Sequence, residues 1–346
     1  MNTDDRVGAT LEPQARMRRL RLGPLLARWE AQLVMLLLLA VLICSFLSPY
    51  FLDVRNLFDM TFNFMEKSLM ALAMTFIIIA TGSVDLSIAS NMAMSAIAMA
   101  LAFQAGLPMG LAVLVGLAVG TLGGLFNGLL IGKAKLPALV ATLGTYALYS
   151  GLGYSMLGDL TIKGFPDQFN YLGQGYLAGA PVPFDLALFL VLAVLFGLVL
   201  HRTTLGRFLY AIGQNEEACR FSGLAVDRIK VLLFTVSGFM AALAGVVLAA
   251  RFGSTRADIG LGFELDVITA VVLGGVDIGG GSGSMVGVVL ALFLLGIVRF
   301  GMSLLNIRGQ VQSIVVGLLL ILAILLPQII RRLQDRASAR EGERRS

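Results

Sequence analysis

Apolar stretches long enough to cross a membrane alternate with short polar segments along most of the chain. Their lengths and spacing predict an all-α polytopic membrane protein with ten spanning helices, some of them broken. The predicted spans cover residues 31–50, 63–81, 85–104, 109–132, 137–157, 184–200, 231–250, 265–275, 284–303 and 311–330. The eighth is short for a hydrocarbon core of about 30 Å. The amphipathic segment 51–62 and the longer segment 158–183 are predicted to lie outside the cell.

One long polar segment, residues 201–230, interrupts the apolar pattern. Asn215 is typical of a helix N-cap, which would put Glu216 and Glu217 in the first turn, where the helix dipole favours negative charge. Gly223 is typical of a residue that ends a helix. The pattern therefore predicts a short helix on the cytoplasmic face that another protein can contact.

Composition and charge agree with a membrane location. Hydrophobic residues make up 58% of the chain and charged residues 14%, whereas soluble domains are about a quarter charged. Basic residues concentrate in 1–29, 201–230 and 331–346, so the positive-inside rule places the central segment and both termini in the cytoplasm. The net charge of +5 indicates contact with anionic lipid or a cytoplasmic partner rather than nucleic acid. We expect an N-terminal tail over 1–30, a transmembrane domain over 31–330 and a C-terminal tail over 331–346.

Two similar motifs lie where one apolar stretch ends and the next begins. Residues 82–90, GSVDLSIAS, align with residues 274–282, GGVDIGGGS. Glycine lets the backbone turn, and Asp85 or Asp277 can cap the following helix at the membrane surface, which is our main interpretation. The alternative is a hinge or a translocation pathway, because a carboxylate inside a membrane is costly and needs a partner. The candidate pathway or hinge residues are Gly82, Asp85, Ser87, Asn91, Asn127, Thr142 and Asp277.

Small residues recur through the fourth predicted span and favour close helix packing. They are Gly110, Gly116, Gly120, Gly123, Gly124 and Gly128. Residues 128–134, GLLIGKA, look like a phosphate-binding loop but lack one spacer and the final Ser or Thr, so we expect no ATP to bind this chain. The sequence also shows no metal-binding cluster and no catalytic constellation, which predicts that the protein is not an enzyme.

The chain resembles the permease subunits of ribose-type ABC sugar importers over about residues 45–330. The resemblance rests on TGSVDLSIAS, LPALVATLGTYALYSGLGY, TLGRFLYAIGQNEEACRFSGLAVDRIK and FELDVITAVVLGGVDIGGGSGSMVG. Within that family, SPYFLDVRNLF and RFGSTRADIGLGFELDVITAVVLGG are most similar to L-rhamnose permeases, with autoinducer-2 permeases second. Ser83 departs from the family motif, which has a second glycine there.

This resemblance implies a membrane subunit that imports a monosaccharide across the bacterial cytoplasmic membrane, with L-rhamnose expected first and autoinducer-2 or another pentose or hexose as the alternative. It implies a second permease chain, identical or paralogous, an external sugar-binding protein, and a cytoplasmic ATPase that carries the ATP and Mg²⁺. The central segment would dock onto that ATPase. The expected docking residues are Gly213, Asn215, Glu216, Ala218, Arg220 and Gly223.

Two other classes of function remain open from the sequence. An ion- or proton-coupled transporter would work without an ATPase and would use paired carboxylates within the membrane, for which Asp85, Asp266 and Asp277 are candidates. An intramembrane enzyme would need a catalytic constellation that the sequence does not show.

Overall fold

The protein is an all-α polytopic membrane protein, and its computed structural model describes residues 29–319, 321–322 and 325. The helices are α1 Trp29–Leu47, α2 Val54–Asp59, α3 Met65–Thr81, α4 Ile88–Gln104, α5 Met109–Gly132, α6 Ala138–Leu157, α7 Asp167–Gln174, α8 Phe184–Arg202, α9 Thr204–Gln214, α10 Glu216–Phe221, α11 Val226–Phe252, α12 Phe263–Leu273, α13 Met285–Leu304 and α14 Gly309–Leu319. A 3₁₀ turn, Met60–Asn63, joins α2 to α3, and the strands are β1 Ile162–Lys163 and β2 Ser254–Thr255. The predicted tails lie outside the described residues, except for residues 29 and 30.

The described part of the chain contains fewer than the ten predicted spanning helices when helices are judged by length and composition. Five helices, α1, α5, α8, α11 and α13, are long and apolar enough to cross a membrane. A sixth results if the segment from α2 to α3, bent by 57°, is one broken span. The 11 residues of α12 extend about 16 Å, roughly half of a hydrocarbon core. The predicted tenth span is described only in part, over residues 311–319, 321–322 and 325.

Helix α3 forms the centre of the bundle. Every residue from Met65 to Ala80 is buried. A helix that is apolar on all sides must be enclosed by other helices, and α3 contacts α8, α9, α11, α12 and α13. Its two ends therefore mark two places where segments from distant parts of the chain meet.

The glycine-rich helix α5 packs closely against α11. A methyl group placed on Gly124 would lie 2.7 Å from the Cα atom of Gly238 and would overlap the carbonyl oxygen of Phe234. Further along the contact, a methyl group on Gly128 would lie 2.8 Å from the carbonyl oxygen of Val231. The predicted role in close packing is confirmed for five of the six glycines, but not for Gly110, where an added methyl group meets no atom within 4 Å. Gly128 lies within a helix rather than in a phosphate-binding loop.

The segment 158–183 is ordered by contacts with the end of α11. Strand β1 pairs antiparallel with β2, with Ile162 opposite Thr255 and Lys163 opposite Ser254. Helix α7 packs against α11, where Gly173 leaves no room for a side chain above Arg251. This ladder fixes the loop between α11 and α12.

Candidate functional site

The central polar segment contains an ordered short helix, α10, as predicted. The Asn215 side chain accepts a hydrogen bond of 2.9 Å from the amide of Ala218. Gly223 has φ +83°, and the amides of Gly223 and Leu224 donate to the carbonyl oxygens of Arg220 and Cys219. These two hydrogen bonds, together with a glycine in the left-handed conformation, form a Schellman motif. The predicted cap and stop are both confirmed.

Ion pairs fasten α10 to the start of α11. Glu216 pairs with Arg220 at 2.6 Å and with Lys230 at 2.7 Å. Arg220 also pairs with Asp227 at 2.6 Å, and Asp227 pairs with Lys135 in the turn after α5. Lys135 is distant from α10 in sequence, and Asp227 and Lys230 belong to the next helix. The i, i+4 spacing of Glu216 and Arg220 was the available signal for this network, and the sequence analysis did not use it.

The charges around Glu216 keep its carboxyl group ionised. Partial burial alone would raise its pKa, but hydrogen bonds from Lys230 and Arg220 outweigh burial and lower the pKa overall. A lowered folded-state pKa means that this carboxylate stabilises the segment above its unfolded pKa, and that the stabilisation is lost as pH falls through the folded pKa. Helix α10 is therefore held in place at neutral pH.

Asn215→Ala should loosen α10. The substitution removes the acceptor for the Ala218 amide, and such a cap contributes about 1 kcal/mol, or roughly fivefold in the opening equilibrium. Hydrogen exchange at the Ala218 amide should accelerate by about that factor. Gln214→Ala, at the exposed neighbouring position, is the matched control and should leave the exchange rate unchanged. Equal rates in the two variants would show that the side-chain cap does not hold this helix.

The two similar motifs meet each other at the C-terminal end of α3, and α9 meets them there. The amide of Gly281 donates a 2.8 Å hydrogen bond to the carbonyl oxygen of Ile79. A methyl group on Gly82 would lie 2.7 Å from the carbonyl oxygen of Gly279. One on Gly213 would overlap both the Ile79 carbonyl oxygen and the Gly281 amide. We call this contact, formed by Gly82, Gly213 and Gly279–Gly281, the glycine junction.

The interpretation of the two aspartates as surface helix caps is wrong. Asp85 is only 3% exposed, and its Oδ1 accepts bonds from the amide and hydroxyl of Ser87, while its Oδ2 accepts one of 3.0 Å from the Ser237 hydroxyl. Helix α4 begins after Ser87, which makes no side-chain cap bond. Asp277 accepts from the amide of Gly279 within a turn, and α13 is capped by Ser284 instead.

The other pathway candidates gather around the break between α3 and α4. The Asn127 amide group donates a 2.7 Å bond to the Ser87 hydroxyl, and that of Asn91 donates to the carbonyl oxygen of Gly120. The side-chain carbonyl oxygens of both asparagines are buried without a hydrogen-bond partner in the described part of the chain. Thr142 donates to the carbonyl oxygen of Val84. Of the predicted set, Asp277 lies apart, beside the glycine junction. Ser237, 152 residues from Asp85, was not predicted.

A network of charged side chains, of which the sequence analysis singled out only Asp266, surrounds the N-terminal end of α3. Lys67 pairs with Asp266 at 2.7 Å, and Arg299 pairs with the same carboxylate. Glu66, which is fully buried, pairs with Arg251 at 2.8 Å. The signal was the charged pair at residues 66 and 67 in an otherwise apolar helix, which has to find partners inside the protein. These bonds tie α3 to α11, α12 and α13 at the end opposite the glycine junction.

Comparison with known proteins shows the family. Residues 56–324 match the family described as the permease component of the branched-chain amino acid transport system. The chain belongs to this permease family. The permease is 39% identical over 304 residues to the autoinducer 2 import system permease protein LsrD of Enterobacter sp. (strain 638), which covers 86% of this chain and 92% of the relative.

Other relatives of the permease carry the same description. The LsrD protein of Klebsiella pneumoniae subsp. pneumoniae is 38% identical over 304 residues, and that of Photorhabdus temperata is 37% identical over 302 residues. Each match covers 86% of this chain and 90% of the relative. No solved structure matches the permease. The family match includes α10, the glycine junction and the polar network, so the permease function applies to the part of the chain that contains the candidate site.

Proposed function

We propose that this permease is the membrane subunit of an ABC importer that moves autoinducer 2, or a closely related small sugar-like solute, into the bacterial cytoplasm. The names of its relatives support autoinducer 2 over L-rhamnose, which the sequence segments had suggested first. Their similarity extends over nearly the whole length of each relative, so the comparison concerns whole subunits rather than one shared domain.

The observation that carries the proposal is a continuous contact from α10 to the centre of the bundle. Helix α10 is braced by ion pairs, yet Phe221 at its end is 92% exposed. Gly213, three residues before α10, touches the end of α3 and the turn before α13 without an intervening side chain. A movement of α10 would therefore pass to α3 through direct backbone contacts, and flexible side chains would not absorb it.

The partners follow from this arrangement. A cytoplasmic ATPase would grip α10 and supply ATP and Mg²⁺, and its closure would move α3 and the 274–284 turn through the glycine junction. A second permease chain would complete the pore, and an external binding protein would deliver the solute. Both termini would lie in the cytoplasm, on the same side as α10.

An ion-coupled transporter is the second candidate, and one observation favours it. Asp85 is buried in the bundle, and no lysine or arginine in the described part of the chain forms an ion pair with it. The other two candidate carboxylates have different surroundings, because Asp266 pairs with Lys67 and Arg299, whereas Asp277 lies in a turn. The three carboxylates thus engage separate partners, which is not the paired arrangement that this class predicts.

Uptake into proteoliposomes should separate the two candidates. The permease reconstituted with its ATPase and binding protein should accumulate labelled autoinducer 2 when ATP is present on the ATPase side, and L-rhamnose should be accumulated more slowly. The permease alone, under an imposed proton or sodium gradient, is the control and should accumulate neither. Gradient-driven accumulation by the permease alone would overturn the ABC assignment and support ion coupling through Asp85.

A further inference from the structure

A cavity of about 520 Å³ opens at the end of the permease opposite α10. Helix α11 starts beside α10 and ends at Phe252, and its 27 residues extend about 40 Å, enough to cross a bilayer. The cavity lies beyond that end, between the β1–β2 ladder and the start of α12. We call it the outer cavity. Its principal lining residues are Thr161, Lys163, Phe252, Arg256, Asp258 and Phe263.

The walls of the outer cavity are fixed by the fold. Strand pairing holds Lys163 opposite Ser254. Gly260 has φ +78° and leaves no room for a side chain above the methyl group of Met92, so the loop 256–262 presses directly on α4. Arg256 and Asp258 form a two-point ion pair, with Nε–Oδ1 and Nη2–Oδ2 distances of 3.0 Å. A site with these constraints needs little rearrangement to bind a solute.

The chemistry of the outer cavity suits an uncharged polyhydroxylated solute. Two aromatic rings line it, and a cation lies over one face of each, Lys67 at 4.2 Å from the Phe263 ring centre and Arg251 at 5.2 Å from that of Phe252. The ring surface that the cations leave uncovered is apolar and suits the C–H groups of a sugar. The paired Asp258 and Arg256 offer acceptors and donors in one plane for adjacent hydroxyl groups. The volume falls within the range of about 300–1,000 Å³ typical of small-molecule sites.

A polar track leads inward from the outer cavity. A second, smaller cavity shares Asp258, Ile259 and Gly260 with it and continues to Ser90 of α4. The same cavity is lined by Tyr154, Ser150 and Tyr146, which are spaced four residues apart on α6 and therefore share one face. One turn further along that face, Thr142 contacts the carbonyl oxygen of Val84 at the break between α3 and α4. This face of α6 therefore runs from the outer cavity towards the polar network around Asp85. The second cavity, at about 20 Å³, has room for about one water molecule, so a solute would have to widen it.

We infer that the outer cavity is a loading site, where the permease itself binds a small uncharged polyhydroxylated solute between Phe252, Phe263 and the Arg256–Asp258 pair before the solute moves along α6. This inference rests on the proposed function and adds a solute-binding site on the permease. It assigns part of the substrate selection to this chain instead of leaving all of it to an external binding protein.

Saturation-transfer NMR on the purified full-length permease in lipid nanodiscs tests the loading site. With neither ATPase nor binding protein present, millimolar D-ribose and L-rhamnose should receive saturation at their ring protons, and L-leucine should receive little. Phe263→Leu and Asp258→Asn should each reduce the sugar signal at least fivefold. Ser155→Ala, on the exposed face of α6, should keep it. Thermal unfolding of each variant checks that the fold is intact.

Several outcomes would overturn the inference. They are an absent sugar signal in the unsubstituted permease, a leucine signal equal to that of the sugars, or a sugar signal that survives in both folded variants. Since the measurement uses no ATPase and no gradient, its result is independent of what drives transport. If the sugars give a signal but uptake is driven by an ion gradient, the loading site stands and the ABC assignment is rejected. If uptake is driven by ATP but the sugars give no signal, the ABC assignment stands and the loading site is rejected.

Discussion

Gly213→Ala is expected to abolish ATP-driven uptake. The added methyl group would overlap the carbonyl oxygen of Ile79 and the amide of Gly281, which are backbone atoms that cannot rotate away. The hydrogen bond between those two groups is the link between α3 and the turn before α13. Separating them removes the direct contact through which movement of α10 would reach the bundle. Uptake into proteoliposomes with the ATPase and binding protein should fall at least tenfold.

A matched variant distinguishes loss of the contact between α10 and the bundle from a general effect of adding a methyl group. Gly110 lies in the first turn of α5, and a methyl group there meets no atom within 4 Å, so Gly110→Ala should transport normally. If Gly213→Ala unfolds the protein, Gly82→Ala probes the same junction with a smaller overlap, since its methyl group meets the Gly279 carbonyl oxygen at 2.7 Å. Its left-handed backbone, with φ +58°, adds about 1 kcal/mol of local strain. Normal uptake in both junction variants would show that the glycine junction does not transmit the conformational change of the ATPase to the bundle.

Local sequence signals predicted the elements that depend on nearby residues. The bounds of α5, 109–132, follow directly from an apolar stretch bordered by Pro108 and by lysines, because lipid requires one uninterrupted helix. The cap at Asn215 and the stop at Gly223 were equally visible, since both depend on bonds within five residues. Within the described residues, fewer helices than predicted are long and apolar enough to span a membrane, because an apolar stretch as short as α12 can be buried by protein instead of crossing lipid alone.

Contacts between distant segments could not be predicted in the same way. The burial of Asp85 depends on Ser237, which belongs to α11, and a carboxylate beside glycine looks the same in sequence whether it caps a helix or lies in the core. The glycine junction joins the two similar motifs to Gly213, and neither the similarity of the motifs nor the sequence around Gly213 gave a reason for contact. Glu66 and Lys67 likewise find their partners on α11 and α12, so the sequence shows that they need partners and not which ones.

Phe221→Ser is expected to weaken binding of the ATPase without affecting the fold of the permease. Phe221 is the last residue of α10 and is 92% exposed. Contact of an aromatic ring with water does not stabilise this polar segment. A rigid exposed aromatic residue on a braced helix has the character of an interface hot spot, and loss of one costs about 2 kcal/mol or more. The dissociation constant for the ATPase should rise roughly thirtyfold, measured by interferometry on nanodisc-embedded permease.

The control is a comparably exposed apolar side chain on the other side of the membrane. Leu160 is 72% exposed in the segment before β1, and Leu160→Ser should leave ATPase binding unchanged. Hydrogen exchange across α10 should be the same in Phe221→Ser and in the unsubstituted permease, because Phe221 is absent from the ion pairs that hold the helix. If Phe221→Ser binds the ATPase as tightly as Leu160→Ser, the exposed aromatic ring has no part in ATPase binding. Binding at α10 would then have to depend on its charged side chains instead.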